Sequence, residues 1–262
     1  MPDETKEPGT RIELPCGLFR DGKAQREAEI VPMTGRVRKN IARPDVRKNG
    51  AKIIDAVLLA CVREIGGRRV DRQVLDELLI GDRDFLTLKI REVSLGEVVS
   101  AEMHCGGCKE KIDFQVNLAD IKAFPLAEGD CEVAEDGTTR VFHVDSDKHA
   151  LHAVFRFPSG KDQHAIVPLA SQNPVEANYR MYGLCLESWN GQKKPFPPTF
   201  IENLPLSTLD FVDAAFASRM PGPELDHEVV CDVCGTANPM SLEVSNFLCP
   251  TPQEARKRRQ RA

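Results

Sequence analysis

Residues 84–108 read DFLTLKIREVSLGEVVSAEMHCGGC, and residues 210–234 read DFVDAAFASRMPGPELDHEVVCDVC. Both stretches begin with Asp-Phe, have glycine at their thirteenth position and end on a Cys-x-x-Cys motif, so the matching positions are 126 residues apart. Several features in one register are hard to obtain by chance. We therefore predict an internal duplication, with too few copies for a solenoid.

A helix is predicted upstream of each stretch. Apolar residues at helical spacing predict one helix over residues 51–65, ended by Gly66-Gly67, and another over residues 174–189, ended by Asn190-Gly191. A short apolar stretch then leads from each helix to the next one. The order of elements is therefore the same in both halves of the chain.

A second helix is predicted in each quoted stretch, ending at its glycine. Carboxylates at a helix start are usually caps and dipole partners, so we assign that role to Asp82, Asp84 and Asp210. After each Cys-x-x-Cys motif, apolar and polar residues alternate, over residues 112–118 and again over residues 240–244. That alternation predicts a half-buried strand in each half.

The two Cys-x-x-Cys pairs supply four thiolates, from Cys105, Cys108, Cys231 and Cys234. Zinc prefers tetrahedral thiolate coordination, and two intervening residues let one tight turn direct both sulfurs at a single ion. Some residues of such turns need a positive φ, which glycine adopts readily, and three glycines fit them: Gly106, Gly107 and Gly235. We predict a closed, structural Zn²⁺ site with no open position for catalysis.

Two alternatives stay open for these cysteines. One is a pair of redox disulfides, although a thioredoxin-like motif opens a helix, whereas both pairs here lead into predicted strands. The other is that the duplicated turns have lost metal binding. Cys61 and Cys185, 124 residues apart on the apolar helix faces, are predicted to be buried small hydrophobes rather than reactive thiols.

These patterns predict an α+β fold of internally duplicated helix-helix-CxxC-strand modules, joined by a zinc-ribbon-like centre. A strand pair around Asp21-Gly22 opens the first module. We place the modules at residues 11–135 and 136–248. A disordered segment, residues 1–10, precedes them, and a basic tail, residues 249–262, follows them.

The composition is that of a soluble globular protein. The 35 Lys and Arg residues against 40 Asp and Glu give a net charge of −5, too mild to indicate a nucleic-acid or membrane partner. The longest apolar run, residues 56–62, is far shorter than the ~20 residues that span a bilayer. The polar start carries no signal segment, and an odd cysteine count, nine, argues against a disulfide framework.

Nothing in the sequence indicates catalysis. The histidines are scattered, and no dinucleotide fingerprint, phosphate-binding loop or nucleophile elbow occurs. We therefore predict no catalytic residues, no cofactor-binding residues and no small-molecule substrate. The cationic run at residues 256–261 is either a solvated end or a docking segment for an acidic protein surface or nucleic acid.

Several segments resemble one family. They are Glu13-Leu-Pro-Cys-Gly17, Pro32-Met-Thr-Gly35, Gly81-Asp-Arg-Asp-Phe85 and Leu88-Lys-Ile-Arg-Glu-Val93, then the first Cys-x-x-Cys motif, Leu204-Pro-Leu-Ser207 and Asp210-Phe211. Over roughly residues 11–248 the chain resembles the T-even-type baseplate proteins of contractile-tailed bacteriophages and related contractile injection systems. The cationic end departs from this pattern.

The resemblance implies a non-enzymatic structural or assembly protein of a baseplate or its hub, acting on other baseplate and tail proteins. It implies a location in the bacterial cytoplasm during assembly and then in the tail or injection particle. Of the family's residues, only the four cysteines carry over, as the zinc-ribbon-like pairs. Two alternatives stay open, a soluble tail-assembly chaperone and a zinc-ribbon regulator that binds nucleic acid.

Overall fold

The computed structural model describes residues 9–127, 129–170 and 172–248. Its strands and helices follow one another in this order: β1 Thr10–Arg20, β2 Lys23–Ile30, α1 Gly35–Ile41, α2 Pro44–Arg47, α3 Gly50–Cys61, β3 Val62–Ile65, β4 Arg68–Arg69, α4 Arg72–Glu77, α5 Ile80–Leu95, β5 Val98–His104, β6 Lys111–Asn117, β7 Ala123–Phe124, β8 Glu132–Val133, β9 Arg140–Ser146, β10 Leu151–Arg156, α6 Gly160–Ala170, α7 Pro174–Cys185, β11 Leu186–Trp189, β12 Gln192–Lys193, α8 Leu206–Arg219, β13 Gly222–Pro223, β14 Asp226–Val230 and β15 Ala237–Ser241.

This mixture of helices and strands confirms the predicted α+β class. The basic tail, residues 249–262, lies outside the described residues, and so do residues 1–8 of the segment expected to be disordered. Thr10, the last residue of that segment, already belongs to β1.

The first sheet is antiparallel, with its strands in the order β1-β2-β3-β4. The turn between β1 and β2 is formed by Asp21 and Gly22, whose φ angles are 50° and 73°. Positive φ at both central residues is typical of a two-residue hairpin turn. The predicted strand pair is thus confirmed, and α1, α2 and α3 connect β2 to β3.

The second sheet has the order β8-β9-β10-β11-β12, also antiparallel. Its hairpin β9–β10 is followed by α6 and α7, which connect β10 to β11. Strand β8, at residues 132–133, precedes the expected module boundary and pairs with β9.

The predicted helices over residues 51–65 and 174–189 are too long. Helix α3 ends at Cys61 and α7 at Cys185, and the residues after them form β3 and β11. These segments pair with β2 and β10, so tertiary strand pairing overrides the apolar periodicity that a helix shares with a short buried strand. Gly66-Gly67 and Asn190-Gly191, all with positive φ, turn the β3–β4 and β11–β12 ribbons instead of ending helices.

None of Asp82, Asp84 and Asp210 caps a helix, although Asp82 does lie in the first turn of α5. The N-cap residues of α5 and α8 are Leu79 and Pro205, and neither makes a side-chain capping bond. Asp82 is instead fully buried and accepts a hydrogen bond of 2.8 Å from the backbone N–H of Cys16. Gly96 does end α5, with φ of 90°, whereas Gly222 lies in β13, beyond the end of α8.

The strands around the cysteine motifs form two further ribbons. Strand β6 confirms the strand predicted over residues 112–118 within one residue. The strand predicted over residues 240–244 lies three residues earlier, because β15 spans Ala237–Ser241 and Val244 begins a turn of 3₁₀-helix.

Two large hydrophobic cores correspond to the two sheets. The buried members of the first core are aliphatic residues and Cys61, whereas the second contains Phe142, Phe155, Phe157, Tyr182 and Phe216. A smaller cluster lies where the ribbons meet α5, and consists of Leu88, Val99, Leu118, Leu242 and Val244.

The two halves also touch directly, through close backbone contact. A Cβ atom on Gly81 would lie 2.1 Å from the carbonyl oxygen of Pro221, so only glycine fits this crossing of α5 over β13. Leu79 and Ser159 form an isolated bridge nearby. The halves are therefore packed backbone against backbone at the start of α5.

Candidate metal centre

Each Cys-x-x-Cys motif lies at the tip of a two-stranded antiparallel ribbon. The first ribbon is β5–β6, paired from Val98 with Asn117 to His104 with Lys111. The second is β14–β15, paired from Asp226 with Ser241 to Val230 with Ala237. The motifs thus occupy the turns, where a short backbone excursion can direct two sulfurs the same way.

The two turns, residues 105–110 and 231–236, are called knuckles below. The same two backbone hydrogen bonds close each knuckle. The N–H of the first cysteine donates to the carbonyl of the residue five positions later, and the carbonyl of that cysteine accepts from the N–H of the residue four positions later. The four bonds are Cys105 N to Glu110 O at 2.9 Å, Cys231 N to Thr236 O at 2.9 Å, Lys109 N to Cys105 O at 3.1 Å and Gly235 N to Cys231 O at 2.8 Å.

The residue after the second cysteine of each knuckle has a positive φ, 64° at Lys109 and 71° at Gly235. Of the three glycines expected to fit such turns, Gly106, Gly107 and Gly235, only Gly235 has a positive φ. Gly107 is explained by close approach instead, because a Cβ there would lie 2.6 Å from Oγ1 of Thr236. The sequence did hold a signal for Lys109, since it lies 126 residues before Gly235.

The knuckles bring the four predicted cysteines together. Their Sγ atoms all lie within 4.8 Å of one another, with 3.5 Å between Cys105 and Cys234 and 3.7 Å between Cys108 and Cys231. A disulfide needs about 2.05 Å. A tetrahedron of sulfurs at about 2.3 Å from a central Zn²⁺ has edges of about 3.8 Å. The two shortest of these distances lie close to that edge, so the spacing is compatible with a tetrahedral thiolate shell.

Hydrogen bonds at the sulfurs favour the thiolate form at two positions. The hydroxyl and the backbone N–H of Thr236 lower the pKa of Cys234 to about 6. The backbone N–H of Cys108 contributes most to lowering the pKa of Cys105. Donors aimed at sulfur stabilise the charge that a metal-bound thiolate carries.

Asn238 joins the two knuckles and was not found from the sequence. It is 4% exposed, and its Oδ1 accepts a hydrogen bond of 2.7 Å from the N–H of Gly106. Its Nδ2 donates to the carbonyls of Val229 and Thr236, at 3.1 and 2.8 Å. Because one buried amide binds both turns, it holds the pairs of sulfurs in a fixed relation.

The other described cysteines lie outside this cluster. Cys61 and Cys185 are each the last residue of a helix, α3 and α7, and are buried as predicted. Burial raises the pKa of each thiol to about 12, which keeps it protonated and unreactive.

A family model described as T4 bacteriophage base plate protein matches residues 24–248. This range covers most of the chain, with the second sheet and both knuckles; it begins within β2, so β1 lies outside it. The chain belongs to the T4 bacteriophage base plate protein family. Neither a curated protein nor a solved structure matches it significantly.

Family membership confirms the resemblance and supports a structural, non-enzymatic role in a phage baseplate, as a virion component that contacts other baseplate or tail proteins. Among the described residues, no helix has both the length and the apolar character to cross a membrane.

Proposed function

We propose that this baseplate-family protein is a structural or assembly component of the baseplate or hub of a contractile tail or related injection machine. It binds other baseplate and tail proteins, is made in the bacterial cytoplasm and is built into the particle there. The match over residues 24–248 carries this proposal, because it covers most of the chain, including the second sheet and both knuckles. The activity is therefore binding rather than catalysis.

Within this role, the four cysteines hold one structural Zn²⁺. The spacing of their sulfurs carries this part of the proposal, together with donors aimed at Cys105 and Cys234. Four thiolates complete a tetrahedral shell, so the ion has no position free for a substrate or activated water. Its effect is to cross-link two ribbons that also meet through the Asn238 amide and a small cluster around Cys105, Ile112 and Cys231.

The two halves, residues 11–135 and 136–248, are copies of one ancestral module. The supporting observation is the shared order of hairpin, helices, positive-φ ribbon, helix and knuckle ribbon in the two halves. The two knuckles also share their hydrogen bonds. A metal between the copies fixes their relative orientation, which a rigid component of a machine requires.

Gene deletion tests the assembly role. Deleting the gene from its contractile-tail cluster should abolish complete baseplates, seen by electron microscopy, while the other tail proteins are still expressed, and the intact gene in trans should restore them. Contraction-competent particles without the gene would refute the role, and salt-dependent DNA binding would then support the regulator. Absence of the protein from purified, complete particles would support the chaperone.

Elemental analysis tests the metal. Protein purified without chelators should carry about one zinc per chain, because four thiolates fill one shell. Cys108→Ser and Cys234→Ser should each lose it, whereas Cys131→Ser, at a half-buried cysteine outside the cluster, should keep it. Zinc-free protein with all four thiols freely titratable would contradict the proposal.

A further inference from the structure

A second group of metal-ligating side chains lies on the outer face of the second sheet. In β9, Phe142 and Val144 point into the core, so His143 and Asp145 point outward. In β10, His152 pairs directly with Asp145 in the antiparallel register. The strand alternation therefore places two imidazoles and one carboxylate on the same exposed surface. His143, Asp145 and His152 are called the histidine cluster below.

The members of the histidine cluster are close enough to share one ion. One ligand atom from each lies within 4.8 Å of the others, and the two imidazole centroids are 5.8 Å apart. Nδ1 of His152 contacts Oδ1 of Asp145 directly. Glu132, on the neighbouring strand β8, adds a second carboxylate with Oε2 at 3.2 Å from Nε2 of His143.

The backbone beneath the histidine cluster is held on both sides. Strand β10 is hydrogen-bonded to β9 and to β11, in the interior of the sheet. Oδ1 of Asn190 accepts the N–H of His152 at 2.7 Å, and its Nδ2 donates to the carbonyl of Ala150 at 3.0 Å. The ligand-bearing strands are thus fixed, and only the side chains need to adjust around an ion.

We propose that His143, Asp145 and His152 form a second metal site, for a divalent transition-metal ion such as Zn²⁺. Imidazole suits Zn²⁺, Cu²⁺ and Ni²⁺ rather than Ca²⁺ or Mg²⁺, which take oxygen ligands. Three protein ligands leave a coordination position for water or for the Glu132 carboxylate. This site is open and exposed, unlike the closed cysteine cluster, and it does not depend on the cysteines holding zinc.

Titration calorimetry of the purified full-length protein with Zn²⁺ tests the site. One reversible binding event should weaken at least about tenfold in His143→Ala and in His152→Ala, since even the outer partners of metal ligands contribute that much. His149→Ala is the matched control, because His149 lies in the same hairpin but packs on Phe211. Asp145→Asn should weaken binding, whereas its neighbour Asp147→Asn should not.

The cysteine cluster is separated from this event by repeating the titration in the Cys108→Ser variant. The Zn²⁺ binding event that the histidine variants weaken should persist in Cys108→Ser, even if this variant loses the metal of the cysteine cluster. Absence of any such event in the native chain would overturn the proposal. So would an event that survives both His143→Ala and His152→Ala, which would be an adventitious ion only. Unchanged melting temperatures of the metal-free variants would show that the fold is intact.

Discussion

Helices α5 and α8 occupy the same place in the two halves of the chain, since each precedes a knuckle ribbon. The buried residues of their first turns differ in kind: those of α5 are ionisable, and those of α8 are not. Asp82 and Arg83 in α5 are fully buried, and the residues 126 positions later in α8 are Thr208 and Leu209, also buried. An acidic and a basic residue in the first half thus correspond to a neutral polar and an apolar residue in the second.

The buried guanidinium of Arg83 in α5 has a hydrogen-bond partner for each of its three nitrogens. The guanidinium of Arg83 donates to Oδ1 of Asp55 at 2.5 Å, to the carbonyl of Leu75 at 2.9 Å and to Oε1 of Gln163 at 2.8 Å. Asp55 also pairs with Arg72, at 2.5 Å. Gln163 comes from α6 of the other half, so this network joins the two halves.

Leu209 in α8 has an aromatic core around it instead. Phe216 lies two turns further along the same face of the helix. Its ring packs edge-on against Phe142 and Phe155, with centroids 5.1 and 5.0 Å away, and its centroid lies 4.5 Å from that of Tyr182. Apolar rings need no hydrogen-bond partners, so this half can use a leucine where the first uses an arginine. The same order of elements thus accepts a hydrogen-bonded arginine in one half and a leucine beside aromatic rings in the other.

The knuckles, in contrast, are alike in the two halves. Substitutions of their cysteines should have the largest effect on stability. Cys108→Ser and Cys234→Ser should lower the melting temperature equally, although Cys108 is half-buried and Cys234 exposed, because either loss opens the shell. Structural zinc is worth ~10–16 kcal/mol in finger peptides. Hydrogen exchange should show loss of protection in β6 and β15, with α3 still protected by its own core. Unchanged exchange everywhere would contradict a structural metal.

The next largest effect should come from Arg83→Leu, which copies the residue of α8 into α5. Leaving a buried charge without a partner costs about 3–5 kcal/mol, and because Arg72 still pairs with Asp55 the loss should lie near the lower end, at about 3 kcal/mol. Urea unfolding should show a loss of this size, and Asp55→Leu in the same chain should recover part of it. Leu209→Met is the volume-conserving control and should cost less than about 1.5 kcal/mol. A loss under about 1 kcal/mol for Arg83→Leu would mean that the network contributes little to stability.

Asp82 should make the free energy of unfolding depend on pH, whereas Thr208, at the matching position of α8, should not. Burial raises the pKa of Asp82 from 3.8 to about 6, against the opposing effects of the Cys16 N–H and Arg140. The folded state therefore holds its proton more tightly than the unfolded state, so stability should fall as pH rises from about 4 to about 6, by roughly 3 kcal/mol.

Asp82→Asn should remove this fall, measured as the free energy of unfolding between pH 4 and 7. A fall from Asp84 remains over the whole range from about pH 4 to 7, because burial raises the pKa of that carboxyl from 3.8 to about 7, so the Asp82 contribution is read as the difference between the two profiles. Thr208→Val is the control in the other half and should leave the pH dependence unchanged. An identical pH profile for Asp82→Asn and the native chain would contradict the assignment.

The smallest predicted effect compares the positive-φ positions of the knuckles. Lys109→Gly should stabilise the protein by about 0.5–1 kcal/mol, because a non-glycine residue is strained in the left-handed region. Gly235→Ala should destabilise it by about 1 kcal/mol for the same reason. Thermal unfolding of metal-loaded protein measures both. Shifts of the same sign would show that the knuckles are not equivalent.

Much of the site was predictable because its signals are local. A Cys-x-x-Cys motif, the alternation over residues 112–118 and the Asp21-Gly22 turn each involve neighbouring residues, whose spacing alone limits the backbone. The family resemblance rests on short segments of the same kind. The 126-residue register then indicated that the two cysteine pairs belong together, before any contact between them was known.

The sequence by itself thus determined the α+β class, the hairpin, the helix that Gly96 ends and the four cysteines. Only the tertiary structure decided that residues 62–65 and 186–189 are strands, because β2 and β10 supply their partners. It also decided that Asp82 binds the N–H of Cys16 instead of capping a helix. Likewise, only the tertiary structure brings Asn238 to Gly106 and the members of the histidine cluster to one another. The physical reason is that burial and hydrogen-bond partners come from residues distant in the chain, and no local pattern specifies them.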